Sequence, residues 1–170
     1  MGEDQPYFRF YPGAYEEGGR FEPSSDLCEV CSRPCVWKYT GNVYVAGPKV
    51  SIFCARCIAN GVLAAHFGDR RFQLQAADLI GAEPRLAEEV LQRTPGVSSF
   101  QDFEWPVLDC KPMAFAGYGQ DKTLLAIPAV RSAIKTAFEE IGRTVDGPTS
   151  YALIFKEIDG DRYRAVIDLD

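Results

Sequence analysis

The sequence is short of the groups that most often carry out chemistry. It has one histidine, His66, among 170 residues. A Ser–His–Asp or Cys–His site would depend wholly on that residue, and no second group of the needed kind is identifiable beside it. A lone His in an Ala-rich stretch reads first as packing or surface. There is no P-loop and no glycine-rich dinucleotide fingerprint, Gly117-Tyr118-Gly119 being too short to signal one, and there is no internal repeat or low-complexity tract. No run approaches 18 consecutive apolar residues, so no membrane span is expected. The opening Met1-Gly2-Glu3-Asp4-Gln5-Pro6 is acidic and polar rather than a basic n-region followed by an apolar stretch. No secretory signal is expected, and a reducing cytoplasm is the default compartment.

Positive charge is also in deficit, with 18 Lys and Arg against 24 Asp and Glu, a net charge of −6. The excess lies at the two ends. Glu3, Asp4, Glu16, Glu17, Glu22, Asp26 and Glu29 face only Arg9, Arg20 and Arg33 within residues 1–34, and residues 145–170 are acidic too, while the middle is nearly neutral. An acidic chain repels phosphate backbones, which disfavours nucleic acid as a partner. The same balance suits a basic protein partner, and it also suits plain solubility.

What is present in a telling pattern is cysteine. Cys28-Glu29-Val30-Cys31 is followed, 22 residues later, by Cys54-Ala55-Arg56-Cys57. Two residues between cysteines let both sulfurs point into one tight turn, where backbone N–H groups can donate to the thiolates. Two such knuckles complete a tetrahedral metal site, and Zn2+ in a structural role is the expected occupant of Cys28, Cys31, Cys54 and Cys57. Four sulfurs close the coordination shell, so a catalytic zinc is not expected. A redox pair and an iron–sulfur cluster are the alternatives. The spacer reads as strands at Val36–Tyr39 and Val43–Val45 around a Thr40-Gly41-Asn42 turn, then a strand Val50–Phe53 leading into the second pair. Cys35 could compete as a ligand but more naturally packs as a small apolar residue, and Cys110 reads as a buried thiol.

The rest of the chain gives an α+β pattern. Residues 5–26 are aromatic and turn-rich, suggesting an arm packed on the core. Ile58–Phe67 suggests a short helix ending near Gly68. Glu83-Pro84 opens a second helix, with Leu86, Val90 and Leu91 as its stripe and Thr94-Pro95-Gly96 as its stop. Val130, Ala133, Ile134, Ala137, Phe138 and Ile141 define the clearest amphipathic helix, with Gly142 as its C-terminal cap. The end is a β-hairpin, Tyr151–Phe155 and Tyr163–Ile167, turning at Asp159-Gly160. The expected fold is therefore α+β: an N-terminal zinc-ribbon-like β-hairpin lobe at about 24–67, packed on a small α+β part at about 68–170 that ends in a β-hairpin. The whole, 1–170, is expected to be one domain.

Several of these segments together resemble the CbrC family, small bacterial proteins linked to colicin E2 tolerance. They are Phe8-Arg9-Phe10-Tyr11-Pro12, Phe21-Glu22-Pro23, Phe53-Cys54-Ala55-Arg56-Cys57-Ile58-Ala59-Asn60-Gly61, Arg93-Thr94-Pro95-Gly96, Phe100-Gln101, Trp105, Cys110, Ala114-Phe115, Pro148-Thr149-Ser150-Tyr151 and the closing hairpin to Asp168-Leu169-Asp170. The chain departs from that pattern at Ala55-Arg56, where the family has Pro-Trp. It departs again in the last hairpin, where Lys156–Gly160 carries no Cys-x-x-Cys, leaving one credible metal site. The resemblance implies tolerance of a bacterial toxin and supplies no catalytic residue. The expected function is a non-enzymatic, cytoplasmic, zinc-binding interaction protein, with a basic toxin as one partner it could neutralise as an immunity protein. A zinc ribbon that binds nucleic acid is the alternative, its basic face being Lys38, Lys49, Arg56, Arg70 and Arg71. An enzyme would have to draw on His66, Cys110, Asp102, Glu104 and Asp109, which no spacing assembles.

Overall fold

A computed structural model describes residues 4–68 and 70–169. Met1, Gly2, Glu3 and Asp170, which enter the readings above, lie outside the described residues. The chain is mixed α+β with small sheets, and it divides into two compact units: Met1–Ala76 with Pro84–Ser98, and Ala77–Glu83 with Ser99–Asp170. Residues 24–67 belong to the first unit, and residues 68–170 are shared between the two.

The first unit begins with the aromatic arm. Phe8, Phe10, Tyr11, Ala14 and Phe21 are all buried, so the arm packs on the core, as its composition suggests. The strand β1 (Phe21–Leu27) pairs antiparallel with β2 (Pro34–Tyr39), setting Phe21 opposite Tyr39 and Leu27 opposite Pro34. The short β3 (Tyr44–Val45) is followed by two short helices, α1 (Ala55–Ala59) and α2 (Val62–Phe67), and then by β4 (Phe72–Gln73), the partner of β3. The single helix expected over 58–67 is thus two. Asn60 ends the first, and Gly61, in the left-handed region at φ 76°, re-aims the chain into the second. The longer α3 (Pro84–Arg93) has Pro84 at its first position and buries Val90 completely.

The spacer between the cysteine pairs folds differently from expectation. Val36–Tyr39 pairs with β1, not with residues 43–45, and 50–53 is not a strand. Ser51 and Ile52 are taken by the first knuckle, while the end of the run meets β2, with Tyr39 N–H on Phe53 O at 3.0 Å and Lys38 bridging Cys54. Glu29 N–H donates to Ile52 O at 2.8 Å, while the Glu29 carboxylate accepts from the N–H groups of Ser51 and Ile52 at 3.3 and 3.2 Å. The β-prone run Val50–Phe53 is thus reduced to an isolated bridge at its end, and the strand paired along β2 is β1, built in part from Pro, Ser and Asp residues of low strand propensity.

Two buried polar side chains hold the end of α3. Gln75, fully buried, donates through Nε2 to the carbonyls of Val90, Thr94 and Pro95 at 3.3, 3.0 and 2.9 Å, and its Oε1 accepts from Val97 N–H at 2.9 Å. It caps orphan carbonyls at a helix C-terminus that would otherwise be buried unpaired. The Tyr39 hydroxyl accepts from Gly96 N–H at 3.0 Å and donates to Asn42 O at 3.1 Å, and Arg20 Nε donates to Gly96 O at 2.7 Å. Gly96 is fixed by space: a Cβ there would lie 2.2 Å from Leu74 O.

Tyr39 carries a pH signature. Burial pushes its phenol up to about 12, against roughly 10 in an unfolded chain. The raised value means the neutral hydroxyl is favoured in the fold, so its contribution is complete below pH ~10 and is lost as pH rises toward 12. We expect Tyr39→Phe to cost about 1–2 kcal/mol at neutral pH, for two hydrogen bonds. Urea melts at pH 8 to 11.5 are expected to show the gap between wild type and Tyr39→Phe closing above pH ~10; a gap independent of pH would refute it.

The second unit opens with β5 (Ala77–Asp78), which pairs in parallel with β6 (Phe103–Glu104). A hairpin follows, β7 (Val107–Leu108) and β8 (Lys111–Pro112), turning on Asp109 and Cys110, both at positive φ (51° and 64°), the geometry of a two-residue type I′ turn. Next come β9 (Ala114–Tyr118), the one-turn α4 (Lys122–Leu125) capped by the Asp121 carboxylate, α5 (Pro128–Glu140), and the closing strands β10 (Ala152–Lys156) and β11 (Tyr163–Ile167). The main sheet is antiparallel in the order β11-β10-β9.

The central strand β10 is buried on both faces, which is why Ala152-Leu153-Ile154-Phe155 is an unbroken apolar run. Ala152 and Ile154 meet Val130, Ile134 and Phe138 of α5. Phe155 meets Trp105 and Phe115, with ring centroids 5.0 and 5.6 Å apart. Each large α5 side chain buried there contributes roughly 2 kcal/mol. The helix ends as its sequence indicates: Gly142 sits at φ 70°, with Gly142 N–H on Glu139 O and Arg143 N–H on Phe138 O, a Schellman motif. Asp168, buried after β11, accepts from the N–H groups of Phe100 and Gln101 at 2.7 and 3.2 Å.

Candidate metal centre

The four cysteines come from two kinds of local structure. Cys28 and Cys31 sit in the turn between β1 and β2, where Cys28 N–H donates to Arg33 O and Ser32 N–H to Cys28 O. Ser32 takes a left-handed φ of 56°, which tightens the turn enough for both sulfurs to face inward. Cys54 is the residue before α1, and Cys57 lies in its first turn, with Cys57 N–H on Cys54 O at 3.0 Å. The Glu29 bonds to Ser51 and Ile52 clamp the two pairs together. Sequence reasoning missed this role; the signal was an acid between the two cysteines of the first pair.

The sulfurs of Cys28, Cys31, Cys54 and Cys57 all lie within 4.8 Å of one another, with Cys28–Cys57 at 3.8 Å and Cys31–Cys54 at 3.9 Å. A tetrahedron of sulfurs, each ~2.3 Å from a central ion, has edges of about 3.8 Å. The spacing thus suits one ion, whereas a multi-iron cluster would set its own atoms between the cysteines and spread them. The four are close enough to hold a metal ion, and among the described residues they are the one cluster of three or more His, Cys, Asp or Glu groups so arranged. Cys28, Cys54 and Cys57 are buried, and Cys31 is half-buried.

The electrostatics are those of crowded thiols competing for few protons. Hydrogen bonding from the Cys57 thiol and backbone holds Cys54 down at about 5 despite its burial, while Cys57, facing Cys54 and desolvated, is pushed far up. Burial raises Cys28, against backbone N–H groups of Cys31, Val30 and Cys54 directed at its sulfur. Cys31 feels burial too, but donors from the Arg33 backbone and the Arg56 side chain outweigh it and lower its value. Ion binding resolves the competition by taking the place of the protons.

The other candidate residues fall elsewhere. Cys35, on β2, is buried and outside the four-sulfur group, and its thiol is pushed up to about 12 by burial and by the neighbouring sulfurs. Cys110 is exposed on the β7–β8 turn, which corrects the expectation of a buried thiol: a two-residue turn directs its side chains to solvent. His66 is exposed and meets Phe67 edge-on. Asp102, Glu104 and Asp109 are all exposed. Of the five basic residues expected to form a face around the metal, Lys38 is paired with Glu22 and Asp26 and Arg56 with Asp4, and Arg70 donates to the carbonyls of Phe67 and Pro48. Lys49 and Arg71 are exposed. No helix among the described residues is long and apolar enough to cross a membrane.

Fold and site together define a small mixed α+β protein with a four-cysteine centre able to hold a metal. The chain belongs to the Uncharacterised protein family (UPF0167), which matches residues 5–152, a span containing all four cysteines. It is similar to the UPF0167 protein PA1536 of Pseudomonas aeruginosa, 33% identical over 123 residues, covering 69% of this chain and 65% of that protein. It is also similar to the UPF0167 proteins Mb2317 of Mycobacterium bovis and MT2352 of Mycobacterium tuberculosis, each 31% identical over 105 residues, covering 59% of this chain and 53% of theirs. The chain thus spans between about half and two thirds of these relatives' length. No solved structure matches. These findings correct the resemblance to the CbrC family: the matching family is UPF0167, and the curated relatives carry that name.

Proposed function

We propose that this protein is a non-enzymatic zinc-binding interaction protein, in which one structural Zn2+ on Cys28, Cys31, Cys54 and Cys57 stabilises a folded surface for a protein partner. The observation that carries the reading is the four-sulfur cluster at tetrahedral spacing. An all-thiolate set favours zinc or mononuclear iron over harder ions, and the colourless, redox-inert ion suits a site of purely structural role. Four protein ligands leave no position for a substrate or an activated water, which supports the non-enzymatic reading. Elemental analysis of freshly purified protein is expected to give one zinc per chain, and none in Cys54→Ser. Iron in its place, or no metal, would overturn it.

For the partner, the net charge of −6 and the internal pairing of Lys38 and Arg56 support a basic protein over a nucleic acid. The finer reading, neutralisation of a basic bacterial toxin by a cytoplasmic immunity protein, rests on charge complementarity alone, because the family tie that suggested it is corrected. Calorimetric titration against a basic nuclease toxin encoded beside the gene tests it. Binding that weakens steeply with salt is expected, and no heat at micromolar protein and low salt would count against it.

A further inference from the structure

The second Cys-x-x-Cys pair carries a residue that the ligand pattern does not require. Arg56 lies between Cys54 and Cys57, with its side chain 12% exposed. Its Nη2 donates to Cys31 Sγ at 3.7 Å, across to the other pair, while its Nη1 is paired with the Asp4 carboxylate. We infer that Arg56 is the charge-compensating positioning residue of the metal centre, and that it slows loss of the metal by occupying a lone pair of Cys31. The inference rests on the zinc reading above.

The physical case begins with charge. Four thiolates around a divalent ion sum to −2, and three of the four are buried. A buried net charge is costly unless compensated. Arginine stays protonated under all relevant conditions and presents a planar fork that can serve two acceptors at once. Here one arm goes to the ligand sulfur and the other to Asp4, which fixes the orientation of the fork. Cys31 is also the ligand with solvent access, and so the sulfur an oxidant or alkylating agent reaches first. A thiolate that accepts a charge-assisted hydrogen bond gives up nucleophilic electron density. Compensation and shielding therefore fall on the same ligand.

The test follows zinc itself. The zinc-loaded full chain is mixed with a chromophoric chelator, with and without N-ethylmaleimide, and the release rate is read for wild type, Arg56→Gln, Arg56→Lys and Asp4→Asn, each with circular dichroism before release. Arg56→Gln is expected to release zinc about tenfold faster, on the order of one charge-assisted hydrogen bond. Arg56→Lys should recover most of the loss by restoring the charge. Asp4→Asn should show a smaller acceleration, since it loosens the fork but keeps the cation. Release from Arg56→Gln at the wild-type rate would overturn the inference while leaving the zinc reading standing. Asp4→Asn matching Arg56→Gln, with no rescue by Arg56→Lys, would overturn it too, because Arg56 would then only fasten the N-terminal segment. If Arg56→Gln fails to fold, Arg56→Lys decides: a rate within about twofold of wild type supports charge compensation, and a tenfold acceleration refutes it. A wild type that carries no zinc ends both readings, and elemental analysis separates that case from the others.

Discussion

Stripping the metal is expected to unfold the first unit outright. Two of its parts are short or poorly buried for elements that anchor a site. Strand β1 buries only Phe21 well, its other residues being exposed or half-exposed, and α1 has five residues, far short of a helix that stands alone in water. Both are fastened at the sulfurs. A structural Zn2+ supplies on the order of 10 kcal/mol of folding free energy, which is comparable to the whole stability of a typical domain. Chelation at neutral pH, or Cys28→Ser or Cys54→Ser, is therefore expected to abolish the cooperative thermal transition of Met1–Ala76 with Pro84–Ser98, with loss of amide-exchange protection in α1 and β2. Cys110→Ser, on an exposed turn, is the control and is expected to melt with wild type. Acid should act in the same direction as chelation, because protons compete with the ion for each thiolate. A melting temperature unchanged by the chelator would mean that the aromatic cluster around Phe21, Tyr39 and Phe53 holds this unit without metal.

How much of this was legible in the sequence depends on the range of the interactions involved. The clustering of the four cysteines was readable because Cys-x-x-Cys is a local geometry repeated twice. The helices α3 and α5 were readable because their periodicity and their Pro and Gly boundaries are local as well. The closing hairpin was readable from the alternation of its second strand, Tyr163–Ile167, and its Asp-Gly turn. What failed was pairing. Nothing local told Val36–Tyr39 to pair backward with a strand containing Pro23, Ser24 and Asp26 rather than forward with Val43–Val45. That choice is made by the burial of Phe21 against Tyr39, a longer-range contact, and by the cysteine turn at 28–33 that joins the two strands. Glu29 and Arg56 were visible as residues inside the knuckles, but their acceptors and donors lie 22 to 52 positions away. Cys110 was misplaced because its burial depends on a two-residue turn whose positive φ values no Gly or Asn announces.

Gln75→Ala is expected to cost about 3–4 kcal/mol, the largest loss for a single polar side chain outside the cysteines. Its side chain is fully buried and joins four backbone groups: the carbonyls of Val90, Thr94 and Pro95, and the N–H of Val97. Truncation leaves the Val97 N–H buried without its partner and opens a cavity beneath the end of α3, so the desolvation and packing costs add. Gln75→Glu separates these terms. It keeps the shape and the acceptor for Val97, but sets a carboxylate oxygen against two close carbonyls, so it is expected to be at least as damaging at neutral pH. Its cost should shrink as pH falls, because the protonated acid regains one donor. Gln75→Met fills the space without any bond and should fall between wild type and alanine. The consequence reaches the Arg93-Thr94-Pro95-Gly96 segment, whose conformation Gln75 shares with Tyr39 and Arg20. Urea denaturation of the metal-loaded protein at pH 5 and 8 measures all three variants. Equal stability of Gln75→Ala and wild type would show that the Thr94–Val97 turn is held by Tyr39 and Arg20 alone.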